Sequence, residues 1–256
     1  MSVILVVGNK FSEFSNRNET VMTVDEFKQA LFSRAVSGDL RVIIGQGVEL
    51  NDLMTMQHLS LSYQKLGFSV SIEEAGKVHD QVDHSHQCSV HKHNRQNVLI
   101  SKPARVTDTL YTAWLSIQDE NELLQDHMTG QHIQGMVLTE SARQMMLSVT
   151  ENFYLAEEER GNRYFVLNRV NSEYINFTFP LDVRIDFVIH SLNKNKRGVI
   201  KAKSKAILYQ GATHLAEIDI DYSVYDKAFI SDRESELASD VVASFFAKLD
   251  AVSKAA

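Results

Sequence analysis

Potential chemistry in this chain concentrates between residues 126 and 144, where Asp-His-Met-Thr-Gly-Gln-His-Ile-Gln leads into Gly-Met-Val-Leu-Thr-Glu-Ser-Ala-Arg-Gln. Glu140 and Arg143 stand at i and i+3, a spacing that places both on one face of a helix. A carboxylate and a guanidinium on an otherwise apolar face are costly to bury without partners. They either close on each other as an ion pair that fixes an interface, or they serve a ligand. Gly135 opens the same helix. The first backbone N–H groups there lack partners inside the helix, and with the helix dipole they favour an oxygen carrying negative charge. His127 and His132 precede this start and read either as capping groups or as groups that orient a reacting atom.

These residues need a scaffold. Residues 3–7 and 41–44 are apolar, β-rich runs, each ended by glycine, and residues 68–72 alternate like a strand. Between them lie helical patterns over 24–36 and 49–66, the second closed by Gly67. The first 75 residues therefore predict β-α-β-α-β, a small parallel sheet with helices packed on it. Residues 76–88 are polar and rich in His, as expected of a linker. Strand signals follow at 97–101 and 109–117, then a long helix over 135–155, then strands at 163–170, 173–179, 183–190, 197–209 and 212–225. Val183, Ile185, Phe187 and Ile189 share one face, as do Ala216, Ile218, Ile220, Tyr222 and Val224. Residues 232–252 repeat Leu237, Val241, Phe245 and Leu249 along one side, which predicts a packed C-terminal helix. The class is α+β: one hotdog domain over 89–230, an antiparallel sheet around a long central helix, preceded by the small α/β region and followed by a helix over 231–256.

The segment GQHIQGMVLTESARQ resembles the "DHVPGM…EAARQ" signature of the A-factor biosynthesis hotdog family, the enzymes that begin γ-butyrolactone signal synthesis. Gln131-His132 stands where that family has Asp-His, Gly135-Met136 matches Gly-Met, and Glu140, Ala142, Arg143 and Gln144 match the helix. Ser89-Val90-His91-Lys92, followed by Val98-Leu99-Ile100-Ser101, resembles the "VHK…VLVT" opening of a family repeat. The resemblance covers about 89–226. It departs from the family in Gln131 for Asp, Gln134 for Pro, and room for one repeat where the family has two. The Gly135-to-Glu140 spacing also resembles that of hydroxyacyl-carrier-protein dehydratases of the same fold, which lack the Arg.

The resemblance implies acyl transfer from a β-ketoacyl carrier-protein thioester to a hydroxyl of dihydroxyacetone phosphate. Glu140 would act as general base, its apolar surroundings raising its pKa. Arg143 would hold the acceptor phosphate. The N–H groups near Gly135 and Met136 would hold the thioester oxyanion. His132 would orient Glu140 or the carbonyl, with Gln131, Gln144 and His127 as further substrate-binding positions. Partners would be an acyl carrier protein or CoA thioester, the phosphorylated acceptor and a second copy of the chain. Two other readings keep the fold: a dehydratase or thioesterase on acyl thioesters, and a non-catalytic acyl-binding or interaction module of a biosynthetic complex.

Composition narrows the field. A net charge of −7 argues against a nucleic-acid partner, whose binding face brings basic excess. No apolar run approaches the ~18 residues that span a bilayer, and four acidic residues early in 232–252 argue against membrane contact by that helix. The N-terminus has no basic n-region, and Cys88, the one cysteine, excludes an internal disulfide, so a cytoplasmic location is expected. His79, His84, His86, Cys88, His91 and His93 could ligate zinc, but their spacing matches no structural finger and no metal is expected. Gly8 and Gly45-Gln46-Gly47 follow strands without completing a nucleotide-binding motif, so no cofactor is expected and a packing role fits better. Met136, Met145 and Met146 read as core, of a kind suited to variable acyl chains.

Overall fold

The computed structural model describes residues 2–36, 38–74, 86–126 and 130–255. The N-terminal region forms β1 (Ser2–Val7), α1 (Ser12–Asn16), β2 (Val21–Thr23), α2 (Val24–Phe32), β3 (Leu40–Ile44), α3 (Leu50–Gln64) and β4 (Val70–Glu74). Its sheet is wholly parallel, in the order β2-β1-β3-β4. The strand β2 is additional to the three expected. Only three residues long, it carries too little periodicity to read, yet it pairs with β1 and leads straight into α2 through a Thr23–Glu26 capping box.

Alternation along β1 explains why these strands read as continuously apolar. Val6 faces a core shared with Phe27 and Leu31 of α2 and Met56 of α3. Val7 faces the core of the larger sheet. The small sheet is thus covered on both faces. Its glycines make the weld. Gly47 N–H donates to the Ile117 carbonyl, and a Cβ on Gly8 would lie 2.3 Å from an Asp119 carboxylate oxygen. Between them Gln46, almost fully buried, accepts from Ile117 N–H at 2.8 Å and donates to the Leu115 carbonyl at 3.0 Å.

The rest of the chain comprises α4 (His86–Ser89), β5 (Ala104–Arg105), β6 (Leu110–Trp114), α5 (Gly135–Phe153), β7 (Arg163–Tyr174), β8 (Arg184–Lys194), β9 (Ile200–Gln210), β10 (Thr213–Asp226) and α6 (Lys227–Ala255). The strands form one antiparallel sheet in the order β5-β6-β8-β9-β10-β7. It wraps α5. Val183, Ile185, Phe187 and Ile189, and Ala216 to Val224 on alternate positions, are buried as their spacing predicts. On α5, Val137, Leu138, Ala142, Met145 and Val149 meet them, and each of these but the small Ala142 contributes about 1.5–3 kcal/mol by leaving water. Thr150 and Tyr222 hydroxyls pair at 2.8 Å where helix and sheet meet.

Three expectations are corrected. Residues 97–101 do not form a strand: a 3-10 turn spans Arg95–Asn97, and the buried amide of Gln144 takes backbone groups of Asn97 and Leu99 that a ladder would use. The two strands expected at 163–170 and 173–179 are one, β7, which ends at Tyr174. A register shift opposite it, between Asp221 and Tyr222, carries the pairing through the polar middle. The C-terminal helix starts at Lys227 and does not pack its stripe: Leu237, Val241, Val242, Phe245 and Phe246 are exposed. Helical periodicity identifies an apolar face without saying what covers it. Residues 75–85, including His79 and His84, and residues 127–129, including His127, lie outside the described residues. Among the described residues no helix is long and apolar enough to cross a membrane.

Candidate functional site

Glu140 and Arg143 meet as a bidentate pair. Arg143 Nε donates to Glu140 Oε2 at 2.6 Å and Nη2 donates to Oε1 at 2.7 Å. With 17% and 27% of their side chains exposed, they stand in the wall of a cleft of about 210 Å³. Leu123, Met136, Leu167, Val170 and Ile220 supply apolar lining. Two further donors converge on Glu140. Gln144 Nε2 donates to Oε1 at 3.1 Å, and Lys92 Nζ lies 3.2 Å from the same oxygen. Lys92 also pairs with Glu122 at 2.7 Å, and Glu122 is held in turn by Asn97.

Burial is the largest single effect on the Glu140 carboxyl and pushes its pKa up. The hydrogen bond and charge of Arg143, then Gln144 and Lys92, outweigh it, and the net pKa lies below the usual carboxylate value. This reverses the expectation of a raised pKa. Apolar surroundings raise a carboxyl's pKa only where no cation reaches it.

Gln144 is fully buried and serves as a bracket. Its Oε1 accepts from Leu99 N–H at 2.8 Å, and its Nε2 donates to the Asn97 carbonyl at 2.8 Å. It ties α5 to the segment that follows Lys92.

The helix start forms a second, adjoining group. Gln134, at the N-cap, makes no side-chain capping hydrogen bond. His132, Gly135, Met136, Tyr174 and Thr178 line a cleft of about 420 Å³ there, and Met136 lines both clefts. Gly135 is required by the approach of Tyr174, whose ring would lie 2.8 Å from an added Cβ. Tyr174 is fixed by a hydroxyl–hydroxyl hydrogen bond to Thr139 at 2.7 Å. The His132 ring stands edge-on to Phe177, with centroids 5.1 Å apart. Ile133 N–H donates to the Thr178 carbonyl at 2.7 Å, and the Thr178 hydroxyl is buried with no hydrogen-bond partner among the described residues.

The profile of the A-factor biosynthesis hotdog domain, AfsA, matches residues 72–226, more than half of the chain. The chain belongs to that family. No curated protein matches it. Among solved structures, a mutant thioesterase from Pseudomonas aeruginosa is 14% identical at a TM-score of 0.41, covering 56% of this chain and 94% of its own. A thioesterase from Haemophilus influenzae is 11% identical at 0.38, covering 51% and 81%. A hot-dog-like protein from Thermanaerovibrio acidaminovorans is 11% identical at 0.41, covering 50% and 89%.

In this A-factor-type hotdog, Glu140, Arg143 and Gln144 lie together, while His132, Gly135 and Met136 lie at the helix start. Gln131 is half-buried just before His132. Lys92 joins the site only through the fold; its one signal in the sequence is the His91-Lys92 opening that carries part of the resemblance. His91 adopts a positive φ of 55° and bonds Glu151 at 2.9 Å, a geometry that carries the chain round to present Lys92. Thr178 left no signal, because its hydroxyl meets the helix start only through the fold. Among the described residues no three His, Cys, Asp or Glu side chains converge as metal ligands.

Proposed function

We propose that the protein is an acyltransferase of the A-factor synthase type. It moves a β-ketoacyl group from a carrier-protein or CoA thioester to a hydroxyl of a small phosphorylated acceptor. The observation that carries this reading is Glu140, held ionised by Arg143, Lys92 and Gln144 in a cleft wall beside an uncapped helix start.

In this mechanism the thioester carbonyl lies at the start of α5. The N–H groups near Gly135 and Met136 and the Thr178 hydroxyl donate to the oxygen as it gains charge. Glu140 takes the proton of the acceptor hydroxyl as the new C–O bond forms. The C–S bond then breaks, and the proton passes to the departing thiolate. Arg143 turns Nε and Nη2 to Glu140, leaving its remaining nitrogen, with Lys92, for the acceptor phosphate. His132 orients the carbonyl, Gln131 shapes the approach to it, and Gln144 positions Glu140.

A second copy of the chain would close both clefts into a tunnel. The rims carry exposed Met136, Leu167, Val170, Tyr174 and Phe177, and β7 is an edge strand with an open hydrogen-bonding side.

The test is mass spectrometry of reactions with a β-ketoacyl carrier protein, with and without dihydroxyacetone phosphate. An acceptor-dependent acyl ester is expected, lowered on the order of a hundredfold or more in Glu140→Gln. Free acid regardless of acceptor would make the protein a thioesterase, and loss of water from a hydroxyacyl substrate a dehydratase. An unchanged substrate would leave a binding module.

A further inference from the structure

A cleft of about 540 Å³ lies beside Arg143, lined by residues of α4, α5 and β7. Lys92, Arg143, Arg163 and Lys227 line it, with the imidazoles of His91 and His93, and none of the described residues that line it carries a carboxylate. That is a concentration of positive charge on a chain whose net charge is −7. Carboxylates hold these cations: Glu151 accepts from His91, Glu159 and Asp226 pair with Arg163, Glu122 and Glu140 hold Lys92, and Glu140 also holds Arg143. Glu122 and Glu140 line the smaller, adjoining cleft, and none of these carboxylates is among the described residues that line the larger one. Lys227 forms no ion pair among the described residues. Met146 and Phe165 supply apolar surface between the cations.

We propose that this cleft is an anion site that holds the phosphate of a substrate whose reacting end lies at Glu140. The inference rests on the acyl-transfer reading for what reacts, and on the cleft itself for what binds. Lys92, Arg143 and Leu167 line both this cleft and the smaller one with Glu140, so one ligand can run from the first into the second. Cations gathered in a concave, partly apolar wall focus their field and favour a dianion over a single carboxylate. An Arg fork and Lys point charges are the groups that hold phosphate oxygens. The phosphate has two chemical sources: the phosphopantetheine arm of the acyl donor, or the phosphorylated acceptor.

Calorimetric titration of the full chain with pantetheine 4′-phosphate, pantetheine and glycerol 3-phosphate separates them. Tighter binding of pantetheine 4′-phosphate than of pantetheine assigns the site to the donor arm. Binding of glycerol 3-phosphate alone assigns it to the acceptor. Either result supports the site, provided Lys227→Gln weakens the phosphate ligand about tenfold and salt weakens it further. Lys227 is exposed and forms no ion pair among the described residues, so this variant keeps the fold; Arg163→Gln is the second variant, with circular dichroism reporting its folding. Indifference of binding to the phosphate group, or to Lys227→Gln, overturns the proposal. Turnover of a phosphate-free N-acetylcysteamine thioester isolates the chemistry at Glu140. A protein that binds phosphate ligands yet never transfers the acyl group sinks the acyl-transfer reading alone. One that transfers it but ignores the phosphate sinks the anion site alone.

Discussion

Replacing Gln144 with Met is the sharpest probe of how the scaffold and the site are joined. Methionine nearly preserves the volume and removes both polar ends of a fully buried side chain. Leu99 N–H and the Asn97 carbonyl lose partners at 2.8 Å, and both residues are buried. Each of the two orphaned groups costs about 1–3 kcal/mol, and the added apolar burial returns about 1 kcal/mol, so a net loss of about 1–5 kcal/mol, centred on about 3 kcal/mol, is expected. In urea denaturation followed by circular dichroism, with a slope near ~3 kcal/mol/M, the midpoint should fall by about 1 M. Gln144→Glu sharpens the test. It keeps an acceptor for Leu99 but sets a carboxylate against the Asn97 carbonyl and Glu140. Burial and like charge raise the folded-state pKa of such a group, so its cost is present when ionised and lifts as the pH falls. Gln144→Glu should therefore be less damaging at pH 5 than at pH 8. A midpoint shift below about 0.3 M for Gln144→Met would refute the bracket role.

Two further outcomes follow from single side chains. Thr178→Val removes a buried hydroxyl with no partner among the described residues, so it should leave the melting temperature unchanged or raise it, a gain of up to about 1 kcal/mol. The same change should lower kcat about tenfold to a hundredfold with little change in KM; lost stability with unchanged kcat would contradict the assignment. Burial pushes the Asp119 carboxyl up to about 6, against the N–H groups of Lys10 and Asn9, which hold it down. The folded state therefore binds this proton more tightly than the unfolded chain. The cost of ionisation is absent at pH values below the ordinary carboxylate range and grows as the pH rises through about 6. About 1–2 kcal/mol is expected after solvent screening of its partly open side. Asp119→Asn should remove that dependence and raise the melting temperature at pH 8; equal losses between pH 5 and pH 8 in both proteins would exclude burial as the cause.

Much of this architecture is written in local patterns. Alternation at 183–189 and 216–224 reports which strand faces are buried, and the i, i+3 placement of Glu140 and Arg143 reports their meeting. What local pattern cannot carry is the choice of partner. The stripe on α6 has the same periodicity whether or not anything covers it. The apolar run after Asn97 has β character, but Gln144, brought alongside by the helix, claims its backbone. Thr178 is an ordinary residue after a strand until the fold sets it beside the start of α5. The small parallel sheet reads correctly as α/β, while its weld to the hotdog depends on Gln46, whose hydrogen bonds reach residues about seventy positions away.

Glu140 shows how such long-range placement changes chemistry as well as packing. An acid on an apolar helix face should be held neutral by burial, and a neutral acid cannot accept a proton. In the fold, Arg143 and Gln144 arrive from the same helix, and the turn at His91 delivers Lys92 to the same carboxyl. Together they outweigh desolvation and keep Glu140 ionised. A base of lowered pKa binds its proton weakly, which would handicap an enzyme that had to store that proton. Acyl transfer from a thioester has no such need, because the departing thiolate, with an ordinary thiol pKa near ~8.5, takes the proton in the same turnover. A weakly held proton makes that second transfer downhill. In this proposal the cations around Glu140 therefore serve both halves of the reaction: they keep the carboxylate ready to receive and prompt to release.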